Sequence, residues 1–189
     1  MKDDLVLIKE VLDGNRDAFT LLIEKYKDKI FNYSYRLSGN RNDAEDIVQD
    51  TFINAYSHLD KFKIEYKFST WLFTIATNIT KNKLKRKKVI CYTLDVPVDT
   101  ENDEHLSREQ VMASAEQVET NIESEEKSRF VSEMLNWLPE KYRVPFLLKH
   151  KEEYSYEEIA GMIKESVSTV KIRIYRAREM LTGKFKDRM

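Results

Sequence analysis

The chain is poor in the residues that build disulfide-bonded, β-rich or membrane-spanning proteins. Its 189 residues include one cysteine, Cys91, so no internal disulfide can form and no cysteine pair has metal-ligand spacing. Four glycines and three prolines argue against a β-rich or loop-rich fold. No stretch approaches the roughly 18 apolar residues of a membrane span, and the start MKDDLVLIKE is too charged for a signal peptide. We therefore expect a cytoplasmic, helical protein that does not insert into a membrane.

The charge of the chain is sorted into blocks, although its net charge is only −1. Residues 1–60 carry a net charge of −4, and residues 61–88 carry +8. Residues 89–127 carry −9, and residues 128–189 carry +4. Two basic blocks separated by an acidic one suit two contacts with a polyanion, joined by a segment that avoids it.

Apolar residues recur with helical spacing through the first basic block, which predicts a helical domain over residues 1–88. Asn15 is the expected N-cap of a first helix, and Gly39 and the asparagine after it break the pattern. A second helix is predicted from about Asp43 to Leu59. Ser69 is the expected cap of a third helix that runs into the sequence KNKLKRKK.

The rest of the chain divides into a linker and a second domain. Residues 89–127 are acidic and lack a clear apolar period, so we interpret them as a flexible linker. Residues 128–189 are again helical in pattern. Ser155 and Glu158 have the spacing of a capping box, and a short turn leads to a last helix over about 168–181. The predicted fold class is all-α, with two small helical domains joined by an acidic flexible linker and a helix-turn-helix in the second.

The last helix has the composition of a DNA-recognition helix. A core stripe of Val170, Ile174, Ala177 and Leu181 leaves the other sides outward. Ile172 lies opposite this stripe, where a thymine methyl would give an apolar side chain a partner. The outward residues are predicted to contact DNA, the arginine fork of Arg176 reading guanine and the other cations meeting phosphates: Ser168, Thr169, Lys171, Ile172, Arg173, Tyr175, Arg176 and Arg178. The alternative is a solvated basic helix.

The segment FSTWLFTIATNITKNKLKRKK, residues 68–88, is a second candidate DNA-binding surface. Its predicted core stripe consists of Leu72, Ile75, Ala76 and Ile79. A second face, bordered by Trp71, carries Thr74, Asn78, Lys81 and Lys85. An aromatic ring with amides and cations can stack on and hydrogen-bond an unstacked base, which suits melted DNA. The alternative is that the tryptophan belongs to the core and the lysines form a solvated helix end.

The helix DAEDIVQDTFINAY, residues 43–56, has the opposite character. Asp46, Gln49 and Asp50 form a polar stripe opposite the apolar side. An acidic stripe in a DNA-binding protein is expected to face a protein and not phosphates. The enzymatic alternative is a magnesium site of a DNA-cleaving enzyme, for which the available carboxylates are Asp43, Glu45, Asp46 and Asp50.

These three segments, taken in order, resemble the bacterial RNA polymerase sigma factors of the extracytoplasmic-function (ECF) type. The helix at 43–56 is similar to their polymerase-binding helix, and residues 68–88 to their minus-ten-reading segment. LPEKYRVPFLLKHKEEYSYEEIAGMIKESVSTVKIRIYRARE is similar to their carboxyl-terminal minus-thirty-five domain. The resemblance covers about residues 10–88 and 128–187. It implies a non-enzymatic initiation subunit with no cofactor and no metal.

The resemblance also implies a role for individual residues. Those implied to dock on the clamp helices of the polymerase β′ subunit are Asp46, Gln49, Asp50 and Phe52. Those implied to border a pocket for a flipped minus-ten base are Phe68, Ser69, Thr70, Trp71, Asn78, Lys81 and Asn82, with Lys85 beside them. Those implied to enter the minus-thirty-five major groove include Lys171, Ile172, Tyr175 and Arg176. Further implied partners are the polymerase β flap and an anti-sigma factor.

Two positions depart from the family pattern, and one other kind of regulator fits part of the chain. The turn over residues 165–170, ESVSTV, lacks the usual proline and glycine, and position 172 is Ile where the family often has a small polar residue. An ordinary helix-turn-helix regulator with a sensing or dimerising amino-terminal domain accounts for residues 128–189. It leaves the segment from Trp71 to Lys88 without a role.

Overall fold

A computed structural model describes the backbone of residues 3–94 and 122–186, with side chains over 3–86 and 129–186. Within these ranges the secondary structure is helical, which confirms the all-α prediction. None of the described helices is long and apolar enough to cross a lipid bilayer. The elements are α1 (Asp4–Leu12), α2 (Asp17–Ser38), α3 (Arg41–Ser57), a 3-10 helix (Leu59–Lys61), α4 (Phe68–Leu94), α5 (Ile122–Trp137), α6 (Glu140–His150), α7 (Tyr156–Ile163) and α8 (Val167–Phe185).

The helix boundaries differ from the predicted ones at several places, including both ends of α3 (Arg41–Ser57) and the end of α8 at Phe185. Helix α1 was not predicted, because only Leu7 and Ile8 of its nine residues are buried and the periodic signal is short. Helix α4 continues to Leu94 and α5 begins at Ile122, so the predicted linker over 89–127 is too long at both ends. Its middle part, residues 95–121, lies outside the described residues.

The caps between helices explain why the chain turns where it does. Gly39 ends α2 in the left-handed region with φ 66°, which glycine adopts without steric cost. The side chain of Asn40 then accepts a 3.0 Å hydrogen bond from the amide of Asp43 and caps α3. Asn15 accepts from the amide of Asp17, but the N-cap of α2 is Arg16, so the prediction that Asn15 is the N-cap is wrong by one residue. The prediction that Ser69 caps α4 is wrong, since α4 already begins at Phe68.

The core of the first domain lies between α1, α2, α3 and α4, and one predicted face of α4 is rotated. Leu72 and Ala76 are buried as expected, but Ile75 and Ile79 are only half-buried. The buried positions instead include Phe73, Thr77 and Thr80. Threonine is tolerated there because its hydroxyl finds local partners: Thr77 hydrogen-bonds the Tyr33 hydroxyl at 2.8 Å, and Thr80 donates to the Ala76 carbonyl at 2.7 Å.

The second domain consists of α5 to α8, and its helix-turn-helix is as predicted. Ser155 and Glu158 form the reciprocal capping box, with distances of 3.1 and 2.8 Å. The stripe Val170, Ile174, Ala177 and Leu181 on α8 is buried against α6 and α7. Lys164 has φ 56° between α7 and α8, in the position where a glycine is common. The turn between α7 and α8 therefore forms without a proline or a glycine.

The two domains also pack against each other. Arg143 of α6 is buried and donates to the carbonyl of Leu37, at the end of α2, at 2.9 Å. The same guanidinium donates to the carbonyls of Asn136 and Leu138 at the end of α5. The rings of Phe73 and Tyr154 meet edge to face at 5.5 Å. One apolar cluster contains residues of both domains, while Leu138, Ala177, Leu181 and Phe185 form a second cluster within the second domain.

Candidate nucleic-acid and protein interfaces

The acidic stripe on α3 is exposed, as its spacing predicts. Asp46, Gln49 and Asp50 line one side of an open groove of ≈ 490 Å³ between α3 and α4. Ile79, Asn82, Lys83 and Arg86 line the other side. Phe52, the fourth residue implied to bind polymerase, is only 6 % exposed and packs edge to face on Phe19. It supports the stripe from behind and does not belong to its surface.

Lys83 is a site residue that the sequence analysis did not single out. Its ammonium lies 2.7 Å from Asp46 and 3.4 Å from the buried carboxylate of Asp43. Burial opposes the charge on Lys83, but the hydrogen bond to Asp46 and the charge of Asp43 outweigh it and raise the lysine's pKa. A cation of the protein therefore lies between two of the four carboxylates of the alternative magnesium site.

An aromatic cluster carries the amino-terminal end of α4. Trp71 is half-buried and lies 5.4 Å from the ring of Phe62 and 5.8 Å from that of Phe68, measured between centroids. Phe68 is only 2 % exposed, and it also contacts Tyr26. Phe68 therefore positions Trp71 and cannot itself border an open pocket. Both interpretations of Trp71, as a core residue and as an accessible aromatic, hold in part, because part of its surface is buried and part is accessible.

Further along α4 the predicted face turns outward. Asn78, Asn82 and Lys85 are exposed, and Lys81 is half-buried on the same helix. Asn82 faces the groove that also contains the acidic stripe of α3. The first domain thus presents amide and basic side chains on α4 across one groove from acidic side chains on α3.

The start of α4 is engaged by the second domain. The Thr70 hydroxyl donates to Glu158 Oε1 at 3.3 Å, and the ammonium of Lys67 lies 3.6 Å from the same oxygen. Ser69 and Tyr154 line the same small cleft between the two domains. Burial works against the negative charge of Glu158, but the Ser155 amide, Lys67 and Thr70 together lower the carboxyl's pKa. Two of the predicted minus-ten residues therefore lie beside α7 and the turn that precedes it.

The outward face of α8, unlike the start of α4, is exposed at Ile172 and Tyr175. Ile172 is 53 % exposed and Tyr175 is 62 % exposed, which confirms that neither belongs to the core of the domain. Ser168 and Arg176 are also exposed. Ser166 caps the helix through the amide of Thr169, so the hydroxyls of Ser168 and Thr169 lie in one short hydrogen-bonded cluster with it. The amino-terminal turns of α8 thus project an apolar, an aromatic and a basic side chain together.

Several basic residues of α8 have intramolecular partners that the sequence did not reveal. Arg173 pairs with Glu165 of the preceding turn at 2.7 Å, and Arg178 hydrogen-bonds His150 at 3.1 Å. A hydrogen bond from Arg176 to Tyr142 of α6 lowers the pKa of that tyrosine. The amine of Lys171 lies 5.5 Å over the ring of Tyr156. These contacts orient the cations, so α8 presents them in set positions.

Both halves of the chain match family models of known proteins. Residues 22–89 match Sigma-70 region 2, and residues 131–181 match Sigma-70, region 4. The chain is 42 % identical to the ECF RNA polymerase sigma factor SigW of Bacillus subtilis, over 95 % of each chain. It is 34 % identical to the ECF RNA polymerase sigma-E factor of Haemophilus influenzae, over 98 % of this chain and 97 % of the relative.

A solved structure has a similar fold. CnrH, determined in complex with the cytosolic domain of CnrY, superimposes with a TM-score of 0.70 at 23 % identity, covering 98 % of this chain and 99 % of that one. The sigma factor RpoE of Bartonella quintana, in complex with the anti-sigma factor NepR, gives 0.65 at 23 % identity over 90 % and 98 %. At this identity the likeness concerns the fold.

Proposed function

The chain belongs to the ECF RNA polymerase sigma factors of the sigma-70 family, and we propose that it binds core RNA polymerase and directs it to specific promoters. The observation that carries the proposal is the pairing of two surfaces in the first domain. An exposed acidic stripe on α3 faces Asn82, Lys83 and Arg86 of α4 across one groove, separate from the helix-turn-helix. Trp71 lies nearer the amino-terminal end of the same helix. A simple repressor would need only the helix-turn-helix and would have no role for the surfaces on α3 and α4.

The acidic stripe is the proposed docking site for polymerase. Asp46, Gln49 and Asp50 project from a rigid helix whose other side is anchored by Phe52 and Ile47. Exposed carboxylates repel DNA phosphates, so a basic protein surface is the complementary partner. The clamp helices of β′ are the partner that the family resemblance supplies. Lys83 holds Asp46 in place and leaves Gln49 and Asp50 as the freer members of the stripe.

The outward face of α4 is the proposed minus-ten site. Trp71 is held by Phe62 and Phe68 with part of its ring accessible, which is the arrangement that stacks on an unpaired base. Asn78 and Asn82 supply donors and acceptors for base edges, while Lys81 and Lys85 supply charge for the strand's backbone. Capture of an extruded base from the non-template strand would then favour opening of the duplex.

The outward face of α8 is the proposed minus-thirty-five site. Ile172, Tyr175 and Arg176 form its base-facing group, and Lys171 adds a phosphate contact. Arg173 and Arg178 have acceptors within the protein, so their contribution to DNA binding is smaller than the sequence alone suggests. The helix enters the major groove in the manner of other helix-turn-helix proteins.

The family membership extends the proposal to the protein's setting. Its relatives are sigma factors and not enzymes, so we propose no catalytic step for this chain. It acts in the cytoplasm, where the polymerase acts, and an anti-sigma factor controls it. Contact of the second domain with the polymerase β flap completes the set of partners.

Transcription with purified components tests the proposal. The purified chain and core polymerase are combined on a genomic promoter library, and run-off transcripts are sequenced. We expect transcripts from a defined promoter set only when both proteins are present, and footprints over those promoters that require core polymerase. A footprint by the chain alone, unchanged by polymerase, would instead identify a helix-turn-helix regulator. Magnesium-dependent cleavage of the library, lost in Asp46→Ala, would identify a nuclease.

A further inference from the structure

His150, the last residue of α6, forms a polar contact with Arg178 of α8 within the second domain. The guanidinium donates to the imidazole Nε2 from two nitrogens, Nε at 3.3 Å and Nη2 at 3.1 Å. Arginine has no acceptor atom, so Nε2 must be the unprotonated nitrogen of a neutral imidazole. The contact therefore exists only while His150 carries no charge.

The imidazole is oriented by its own helix. The ring of Phe146, one turn earlier on α6, lies 4.6 Å from the imidazole between centroids. Phe146 packs in turn against both apolar clusters. His150 and Arg178 themselves are exposed, so the proton that decides their contact exchanges directly with solvent.

Arg178 lies on the side of α8 that is proposed to meet DNA. It follows Lys171 by seven residues and Tyr175 by three, spacings that place side chains on one face of a helix. Its fork of N–H groups matches the oxygens of a phosphate. While two of these groups donate to His150, the guanidinium is directed toward α6 and has fewer donors for DNA.

A proton on His150 reverses the sign of this contact. Among the described residues, the charged groups that act on the imidazole are Arg178 of α8 and Lys149 of its own helix, both cations. Burial, followed by the charges of Arg178 and Lys149, lowers the pKa of His150 below its ordinary value. The protonated ring cannot accept from Arg178 and repels it. DNA phosphates near α8 favour the protonated form, because they offset the charge of the two cations.

We propose that His150 is a positioning residue of the minus-thirty-five surface: when neutral it keeps Arg178 on α6, and when protonated it releases Arg178 to a DNA phosphate. This inference rests on the proposed function, because it assumes that α8 lies in the major groove. Its sign is fixed by the geometry. Above the pKa of His150 the phosphate contact is missing, and as the pH falls through that pKa the contact forms and DNA affinity rises.

Binding of the full-length chain to a random pool of short DNA duplexes tests the proposal, since a phosphate contact is independent of sequence. Affinity is measured by fluorescence anisotropy at several salt concentrations, at about pH 8 and about pH 5.5. His150→Ala removes the acceptor. His150→Gln keeps a neutral acceptor at every pH, because its amide oxygen replaces Nε2. His58→Gln is the matched control, since His58 is an exposed histidine at the end of α3.

The variants have distinct expected results. The unaltered chain should bind about two- to fivefold more tightly at the acidic pH, with a salt slope steeper by about one. His150→Ala should show the tighter binding and the steeper slope already at the alkaline pH, a gain that the loss of a merely structural residue does not produce. His150→Gln should lack the gain at both pH values, and His58→Gln should behave like the unaltered chain. Arg178→Gln, which leaves α6 intact, should abolish the step in salt slope.

Two outcomes would overturn the inference: equal affinity of His150→Ala and the unaltered chain at the alkaline pH, or an undiminished pH step in His150→Gln. Run-off transcription with core polymerase separates this failure from that of the proposed function. A chain that initiates at promoters while its DNA affinity ignores His150 remains a sigma factor without this control. A chain that does not initiate with core polymerase fails the proposed function itself.

Discussion

The two proposed DNA-binding surfaces, on α4 and on α8, differ in how much of each is also used for packing. On α8 the base-facing residues Ile172 and Tyr175 are more than half exposed and contact neither domain's core. On α4 Trp71 is half-buried among aromatic rings, and Thr70 is bonded to the second domain. A surface that reads an intact duplex can stand ready on a rigid helix. A surface that captures an unstacked base needs apolar groups, and these also attract protein partners.

The largest expected effect is on the free energy of unfolding and concerns Arg143, a residue that packs the domains and is not proposed to bind DNA. Its guanidinium donates to the carbonyls of Leu37 and Leu138, which are buried from water, and to the part-buried carbonyl of Asn136. We expect Arg143→Ala to lower the free energy of unfolding by about 3 kcal/mol, because these acceptors lose their donor. Urea titration followed by circular dichroism measures the change.

The distribution of this loss sharpens the comparison between the domains. Arg143 makes more bonds to Leu138 and Asn136 than to Leu37, so hydrogen-exchange protection should fall more in α5 to α8 than in α1 to α3. Arg143→Lys keeps the charge without the fork and should give a smaller loss. A decrease of less than about 1 kcal/mol for the alanine variant would contradict this account.

The next effect concerns promoter opening by α4. Trp71→Ala and Asn78→Ala should leave closed complexes intact and reduce melting by about 1–3 kcal/mol, because their partner is a single-stranded base. Permanganate reactivity of promoter thymines measures melting directly. Asn78 is exposed, so its variant should keep wild-type stability, whereas Trp71→Ala also removes packing on Phe62 and Phe68. A template with a preformed bubble should restore part of the activity, and normal opening of duplex promoters by both variants would place the pocket elsewhere.

A smaller effect is expected at the polymerase contact. Asp50→Lys should weaken binding of core polymerase about tenfold, which corresponds to about 1.4 kcal/mol, because it places like charges at the interface. The affinity is measured by titration of labelled protein with core polymerase. Asp28→Lys is the control, since Asp28 is an exposed carboxylate on α2 with the same change of charge. If both variants bind core polymerase equally well, the stripe on α3 is not the docking site.

The smallest effect distinguishes direct base reading from phosphate binding on α8. Ile172→Ser should weaken binding to the cognate minus-thirty-five site by about 1 kcal/mol and abolish the penalty for replacing its thymine by uracil. The dependence of affinity on salt should not change, because no phosphate contact is lost. Lys171→Ala should weaken all sequences alike and reduce the salt slope by about one. Binding isotherms at several salt concentrations provide the measurement.

Two further observations would decide the orientation of the helix. Arg176→Ala should relax the preference for a neighbouring guanine by about 1–3 kcal/mol. With 53 % of its surface exposed, Ile172 should be replaceable without loss of stability, and unfolding of the Ser variant would place it in the core after all.

Features that depend on local spacing could be predicted well. The capping box of Ser155 and Glu158, the buried stripe on α8 and the exposure of the acidic stripe on α3 all follow from helical periodicity and the chemistry of helix ends. Lys83 could have been predicted, since the carboxylates on α3 favour a basic residue on a neighbouring helix as an ion-pair partner. The rotation of the core face on α4 could not be predicted, because the partner of the buried Thr77 hydroxyl is Tyr33, 44 residues earlier in the chain.

By itself the sequence determined the all-α class, the two helical domains, the capping box of α7 and the outward faces of α3 and α8, because each depends on residues within a few turns of one another. Only the tertiary structure decided which side chains lie between elements. It buried Phe52 and Phe68, paired Arg173 with Glu165, and brought Glu158 onto Thr70 across the domain boundary. Such contacts depend on the angles and distances at which helices pack, and a pattern along one helix carries no information about the neighbour it meets.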